Sequence, residues 1–198
     1  MGMDASPFQI KLKEQTAELH KQAEGHPLMQ SFISSSYKKE HLLQFLVNLL
    51  PIYSVVEQKL LANQIINEPG LRRSPLLQQD IDTLSAEIIN EDNQHLLALL
   101  PCTNVWVSNM WKKSIELLKA ELYTRWLADL YGGRMLARTV SPNAMYTWDN
   151  PQNIIGIVRE VVDISPTDEV RFIDEVNNFF TYHITLFDNI YNDETSKG

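Results

Sequence analysis

Apolar residues return at steps of three and four along almost the whole chain, and no stretch alternates with period two. That spacing lines one face of a helix and would scatter the same side chains over both faces of a strand. The pattern restricts the chain to the all-α class. Gly 7 and Pro 9 in 198 residues fall below the roughly 12% average for the two together, so the helices are expected to be long. The length is that of one domain, expected to span 1–198 with residues 1–6 and 193–198 as loose ends.

Breakers divide the pattern. A first helix is expected from Pro7 to Glu24, with Gly25 ending it and a short helix or turn after Pro27. Leu42, Leu43, Leu46, Leu49, Leu50, Tyr53, Val56 and Leu60 mark one amphipathic helix from Tyr37 to about Asn67, kinked at Pro51. Glu68-Pro69-Gly70 breaks the chain, and Pro75 to Ile89 is helical again. Patterning resumes near Val105 and runs to Val140, interrupted only by Gly132-Gly133. Ser141 to Pro151 is a loop. Two helices close the chain, Gln152 to Asp163 and Pro166 to Tyr191, the latter capped by Ser165.

Lys plus Arg 17 against Asp plus Glu 25 gives a net charge of -8, the wrong sign for a domain that covers phosphates, so nucleic acid is not an expected partner. Cys102 is the single cysteine and cannot close an internal disulfide, which fits the cytoplasm. Met1 to Phe8 does not read as a signal peptide, and neither a spanning segment nor a tail anchor is expected.

Two places invite chemistry. Gly132-Gly133 interrupts a helical run at about 1 kcal/mol per glycine relative to alanine, which implies either a kink or close crossing, or a backbone pressed against a flat ligand where a Cβ would collide. His20 shares a face with Leu12, Thr16, Leu19 and Ala23 and has Glu24 at i+4. That carboxylate is placed to take the imidazole N–H and orient it as an axial metal ligand, the other reading being a plain His–Glu surface pair. Asp92-Asn93-Gln94-His95 is too little for a carboxylate-bridged metal pair. Cys102 has nothing nearby in sequence to activate it. Lys38-Lys39, Arg72-Arg73 and Lys112-Lys113 read as solvated faces.

The segment Tyr123-Thr124-Arg125-Trp126-Leu127-Ala128-Asp129-Leu130-Tyr131-Gly132-Gly133 is similar to the distal-helix signature of the heme oxygenase family, and Leu19-His20-Lys21-Gln22-Ala23-Glu24 resembles that family's proximal helix. Ile52-Tyr53-Ser54-Val55-Val56-Glu57 and Leu186-Phe187 add to a resemblance that covers nearly the whole chain. It implies a helical bundle holding heme, both cofactor and substrate, between the first helix and the kinked helix at Gly132. It implies conversion of heme to biliverdin, carbon monoxide and ferrous iron, with dioxygen and an electron donor such as a ferredoxin or flavin reductase; a monomer is the default expectation.

Carried over residue by residue, the resemblance makes His20 the iron ligand, oriented by Glu24. Lys13 and, more loosely, Arg159 meet the propionates, and Tyr123 lies at the heme edge. Asp129 holds the distal water, with Tyr53 and Arg125 in the network behind it. Ala128, Gly132 and Gly133 form the backbone surface against the macrocycle. An aspartate acting through water supplies protons without a strong base, as such chemistry needs. Four positions depart from the family: Ala128 for its first distal glycine, Tyr131 for a small residue, Cys102 for a network tyrosine and His183 for an asparagine. A non-catalytic heme carrier or sensor on the same fold is the alternative, and a helical interaction module without heme is a third reading.

Overall fold

The structure, a computed structural model, describes residues 7–161 and 168–192. Among the described residues nine α-helices occur: α1 (Pro7–Gly25), α2 (Pro27–Ile33), α3 (Lys39–Ala62), α4 (Ser74–Ile88), α5 (Pro101–Lys112), α6 (Ile115–Tyr131), α7 (Gly133–Thr139), α8 (Pro151–Val161) and α9 (Glu169–Asn192). No strand occurs among them. The expected cap Ser165 and Pro166 lie outside the described residues.

Helices α3 and α9 organise the core. Helix α3 buries Leu42, Leu46, Leu49, Tyr53, Val56 and Leu60 and packs against α4, α5, α6 and α9. By length and composition it is apolar enough to cross a bilayer, yet most of that stretch is buried inside the protein. Helix α9 buries Phe172, Val176, Phe179, Phe180, His183 and Phe187, and carries α1 and α6. Phe172 touches both Phe8 of α1 and Tyr123 of α6, at ring distances of 5.5 and 5.7 Å. Farther along, Phe180 meets His20 of α1 and Phe187 meets His26 beyond its end.

The expected run from Val105 to Val140 divides once more than predicted. It begins at Pro101 and breaks at Lys113-Ser114. Lys59 of α3 causes no pattern in the local sequence but collects the end of α5, donating to the carbonyls of Trp111 at 3.0 Å and Lys113 at 2.7 Å. A cation on the last carbonyls stabilises a helix end. Ser114 then caps α6, its hydroxyl accepting from the Leu117 N–H at 3.4 Å. The α6–α7 junction is a bend of another kind. Gly132 keeps helical dihedrals, φ -73° and ψ -39°, but its carbonyl accepts from Met135 N–H at 2.9 Å and only at 3.5 Å from Leu136 N–H. One step of 3₁₀ bonding turns the axis.

The two glycines answer different demands. A Cβ on Gly133 would lie 2.7 Å from Cδ1 of Tyr146, while one on Gly132 would meet only the Ala128 carbonyl, at 3.1 Å. Tyr146 cannot yield easily because its loop is pinned. Asp80 accepts the N–H groups of Ala144 and Met145 at 2.8 and 2.9 Å, and Arg73 donates to the carbonyls of Met145 and of Thr147, the latter at 2.8 Å. Arg73 is 3% exposed and lies 3.8 Å over the Trp148 ring, which corrects the expectation that Arg72-Arg73 is a solvated pair. Gly133→Ala should therefore destabilise the apoprotein by about 1–3 kcal/mol through overpacking. Gly132→Ala, whose Cβ would meet one backbone carbonyl at 3.1 Å, should cost less, because helix propensity offsets up to about 1 kcal/mol; urea unfolding of the two variants checks the contrast.

Candidate active site

Helix α6 aligns Glu121, Arg125 and Asp129 at i, i+4 and i+8, one column on its inner face. Tyr53 of α3 reaches that column from the side, its hydroxyl donating to Asp129 Oδ2 at 2.6 Å. Trp126 fixes the meeting point: its ring packs 5.0 Å from Tyr53 and its Nε1–H donates to the Leu71 carbonyl at 2.9 Å. Arg125 donates through Nε to Glu121 Oε2 at 2.9 Å and meets His183 Nε2 at 3.4 Å. Thus the structure brings Tyr53, Arg125 and Asp129 into one buried group.

Burial lifts the Asp129 carboxyl to about 7, although the Tyr53 hydrogen bond and the charges of Arg73 and Arg125 pull it down. A carboxyl group at that value both holds and releases a proton near neutrality, the property wanted in a proton relay. Burial and the charge of Asp129 push the Tyr53 hydroxyl well above its ordinary range, so Tyr53 stays a donor. Burial and the charge of Arg125 drive His183 down to about 3. Its neutral ring donates from Nδ1 to the Phe179 carbonyl at 2.8 Å, leaving Nε2 as an acceptor. Glu121 works the other way: burial opposes its charge, but Arg125 and Lys113 outweigh burial and keep it below the usual carboxylate range.

His20 stands on α1 with its ring edge 5.2 Å from Phe180. Its side chain is 52% exposed, not turned into the core as its apolar neighbours in sequence suggest. The buried stripe of α1 is Leu12, Thr16 and Ala23, and His20 lies at its margin. Glu24 Oε1 is 3.4 Å from His20 Nε2, so the predicted pair exists, through that nitrogen and at the surface. Phe180 touches its neighbour Phe179 at 5.1 Å, and the Arg125 guanidinium lies 4.7 Å from Phe179. Two consecutive aromatic rings of α9 therefore connect the His20 side to the Asp129 side.

A second exposed stretch lies at the α6–α7 bend. Ala128, Tyr131, Gly132 and Met135 are exposed on α6 and α7. Gly132 presents outward with no side-chain atom within 4 Å of where its Cβ would sit, whereas Gly133 points inward to Tyr146. Lys13 is exposed on α1. Arg159 of α8 donates to the Tyr131 hydroxyl at 3.2 Å, and its charge acts on the half-buried Tyr123. An exposed imidazole on α1, an exposed α6–α7 bend with a glycine free of side-chain neighbours, the aromatic rings of α9 and surface cations are the kinds of group that suit a flat macrocycle with a metal centre and carboxylate arms.

Sequence reasoning passed over Arg73, Glu121, Lys113, Phe180 and Tyr146. Glu121 precedes Arg125 by one turn, a spacing that was available as a signal. Lys113 belongs to a pair expected on a solvated face, yet its side chain is 13% exposed and it binds Glu121 at 2.9 Å and also Glu175. Nothing local distinguishes it from Lys112.

The family model described as heme oxygenase matches residues 6–189. Heme oxygenase 2 of the cyanobacterium Synechocystis is 29% identical over 200 residues, covering 86% of this chain and 78% of that protein. Heme oxygenase of Porphyra purpurea is 25% identical over 203 residues, covering 91% of this chain and 85% of that one. Among solved structures, heme oxygenase-1 from Synechocystis in complex with heme has a TM-score of 0.81 at 21% identity, covering 97% of this chain and 96% of that chain. The structural likeness carries the fold, and the sequence match over almost the full length carries the kinship: this chain belongs to the heme oxygenase family.

Proposed function

We propose that the protein binds heme between α1 and the α6–α7 bend and cleaves it to biliverdin, carbon monoxide and ferrous iron. The observation that carries this reading is the buried Tyr53–Asp129 pair, with its carboxyl near neutrality, behind a helix face made bare by Ala128 and Gly132. A carrier needs a ligand and a pocket but has no use for a buried group that trades protons. Heme, when bound, supplies both the centre at which dioxygen is reduced and the carbon that is oxidised.

The chain's own residues divide the remaining work. His20 offers one ring nitrogen, and Glu24, one turn away, orients the ring; ligation through Nε2 requires the imidazole to turn so that Nδ1 faces the carboxylate. Lys13 and Arg159 attract the carboxylate arms, and Tyr123 abuts the edge. Tyr131, large where the family keeps a small residue, holds Arg159 before any carboxylate arrives. Asp129 anchors water by accepting at one oxygen while Tyr53 satisfies the other, and its raised pKa lets it take up and return a proton through that water. Gly132 allows the helix backbone to close over one face and exclude bulk water.

The reading extends to a single domain over 1–198, acting as a monomer in the cytoplasm with electrons from a ferredoxin or flavin reductase. Hemin titration without oxygen, followed by dioxygen and reductant, tests it: biliverdin should appear. His20→Ala should abolish the wild-type hemin spectrum and turnover while the apoprotein keeps its helical circular dichroism. Intact heme recovered from the wild-type reaction would favour a carrier.

Asp129 also yields a pH signature in the protein without heme. Its carboxyl is protonated in folded and unfolded chains below about 4 and ionised in both above about 7, and only the folded form resists ionisation. Its contribution to stability therefore falls as pH rises from 3.8 to about 7, by up to about 4 kcal/mol. Asp129→Asn should accordingly be more stable than wild type in urea at pH 8 and lose most of that advantage at pH 4. A difference that does not change with pH would give Asp129 an ordinary carboxylate.

A further inference from the structure

The guanidinium of Arg125 is gripped at two nitrogens and left bare at the third. Nε donates to Glu121 at 2.9 Å, Nη1 meets His183 at 3.4 Å, and Phe179 lies 4.7 Å from the guanidinium carbon. Nη2 has no hydrogen-bond partner, although Arg125 is 1% exposed. Burying a cationic N–H without an acceptor is costly, so an arrangement that leaves it bare has to be imposed by its surroundings.

The imposing groups are themselves fixed. Glu121 is fully buried and receives a second donor, Lys113 Nζ, at 2.9 Å. Lys113 in turn lies 4.3 Å over the Trp106 ring and binds Glu175. His183 is committed through Nδ1 to the Phe179 carbonyl, so only its Nε2 lone pair faces Arg125. Asp129 stands one turn beyond Arg125 on the same face of α6, and the guanidinium carbon is 5.8 Å from the Tyr53 ring centre. Nη2 is thus the one guanidinium nitrogen without a partner, on the helix face that Arg125 shares with Asp129.

We propose that Glu121 is a positioning residue for the heme-cleaving reaction: by holding Arg125 at Nε, with neutral His183 at Nη1, it presents the unpaired Nη2 as a fixed donor to a small oxygen acceptor beside Asp129. The inference rests on the heme reading above. Glu121 touches neither substrate nor reacting atoms and acts only through Arg125. Salt-bridge strength alone does not account for the arrangement, since a pair built for stability would leave no donor unmatched.

A double-mutant cycle read by spectroscopy tests it. The hemin complexes of wild type, Glu121→Gln, Arg125→Met and the double variant are titrated with pH, and the midpoint of the acid–alkaline spectral transition is recorded. Glu121→Gln should move the midpoint by about half a pH step or more, as expected for a bonded neighbour. In the Arg125→Met background the same substitution should move it no further. A midpoint unmoved by Glu121→Gln overturns the proposal, and so does a shift that persists undiminished without Arg125, because that is the long-range field of a lost charge. Should Glu121→Gln fail to fold, His183→Leu removes the other grip, and its shift must likewise vanish in the Arg125→Met background. If wild type gives no hemin spectrum at all, the heme reading itself falls, a result distinct from additive shifts in a protein that binds hemin.

Discussion

Everything at the site depends on α9 serving as a common floor. Helices α1 and α6 each pack on it, so the separation between the wall that bears His20 and the wall that bears Asp129 is set by a third element. Phe172 contributes one support to each wall, and Phe179 and Phe180 take opposite sides from adjacent positions. Consecutive residues on a helix point about 100° apart, which is why two neighbouring phenylalanines reach two different helices. The spacing of α1 and α6 is thereby set by packing on a shared third helix.

Behind the distal wall the protein buries formal charge in quantity. Arg125, Glu121 and Lys113 form one set, beside which burial and Glu121 push Glu175 up to about 7, and Arg73, Glu57 and Asp80 form another. Each charge is costly to remove from water, and each is met by opposite charge or by backbone groups. The first set fixes the orientation of Arg125; the second fixes the loop that carries Tyr146. Asp129 lies within the influence of both arginines. The low-dielectric setting that makes these pairs necessary is also what lifts its carboxyl toward neutrality.

Periodicity made the helices legible because burying one face is a local demand repeated every turn. It made α1 readable to within a residue and placed α3, which stops at Ala62, short of the expected Asn67; spacing alone singled out His20, Glu24 and the glycine pair, while Arg125 and Asp129 came from the family resemblance. The break at Lys113-Ser114 was not legible, since Lys59, which stabilises it, arrives from another helix. Exposure departs from the local pattern at both extremes for a similar reason. His20 shares its helix with buried residues but lies at the stripe's edge, and Arg73 and Lys113 look like surface lysines and arginines until the elements that neutralise them come into place. Local sequence reports propensity and face; it carries little information about which distant group completes a charge.

The contact between Gly133 and Tyr146 has an evolutionary corollary. Position 133 has room for a hydrogen only because position 146 carries a ring, and that ring is held by a loop anchored to Arg73 and Asp80. The two positions thus behave as a single volume shared between helix and loop. A lineage that trims residue 146 gains freedom to enlarge residue 133, and one that loosens the anchors at 73 or 80 relaxes both. Changes in how α7 sits on this loop are therefore expected to arise as correlated substitutions at position 133, in the loop and in its anchors.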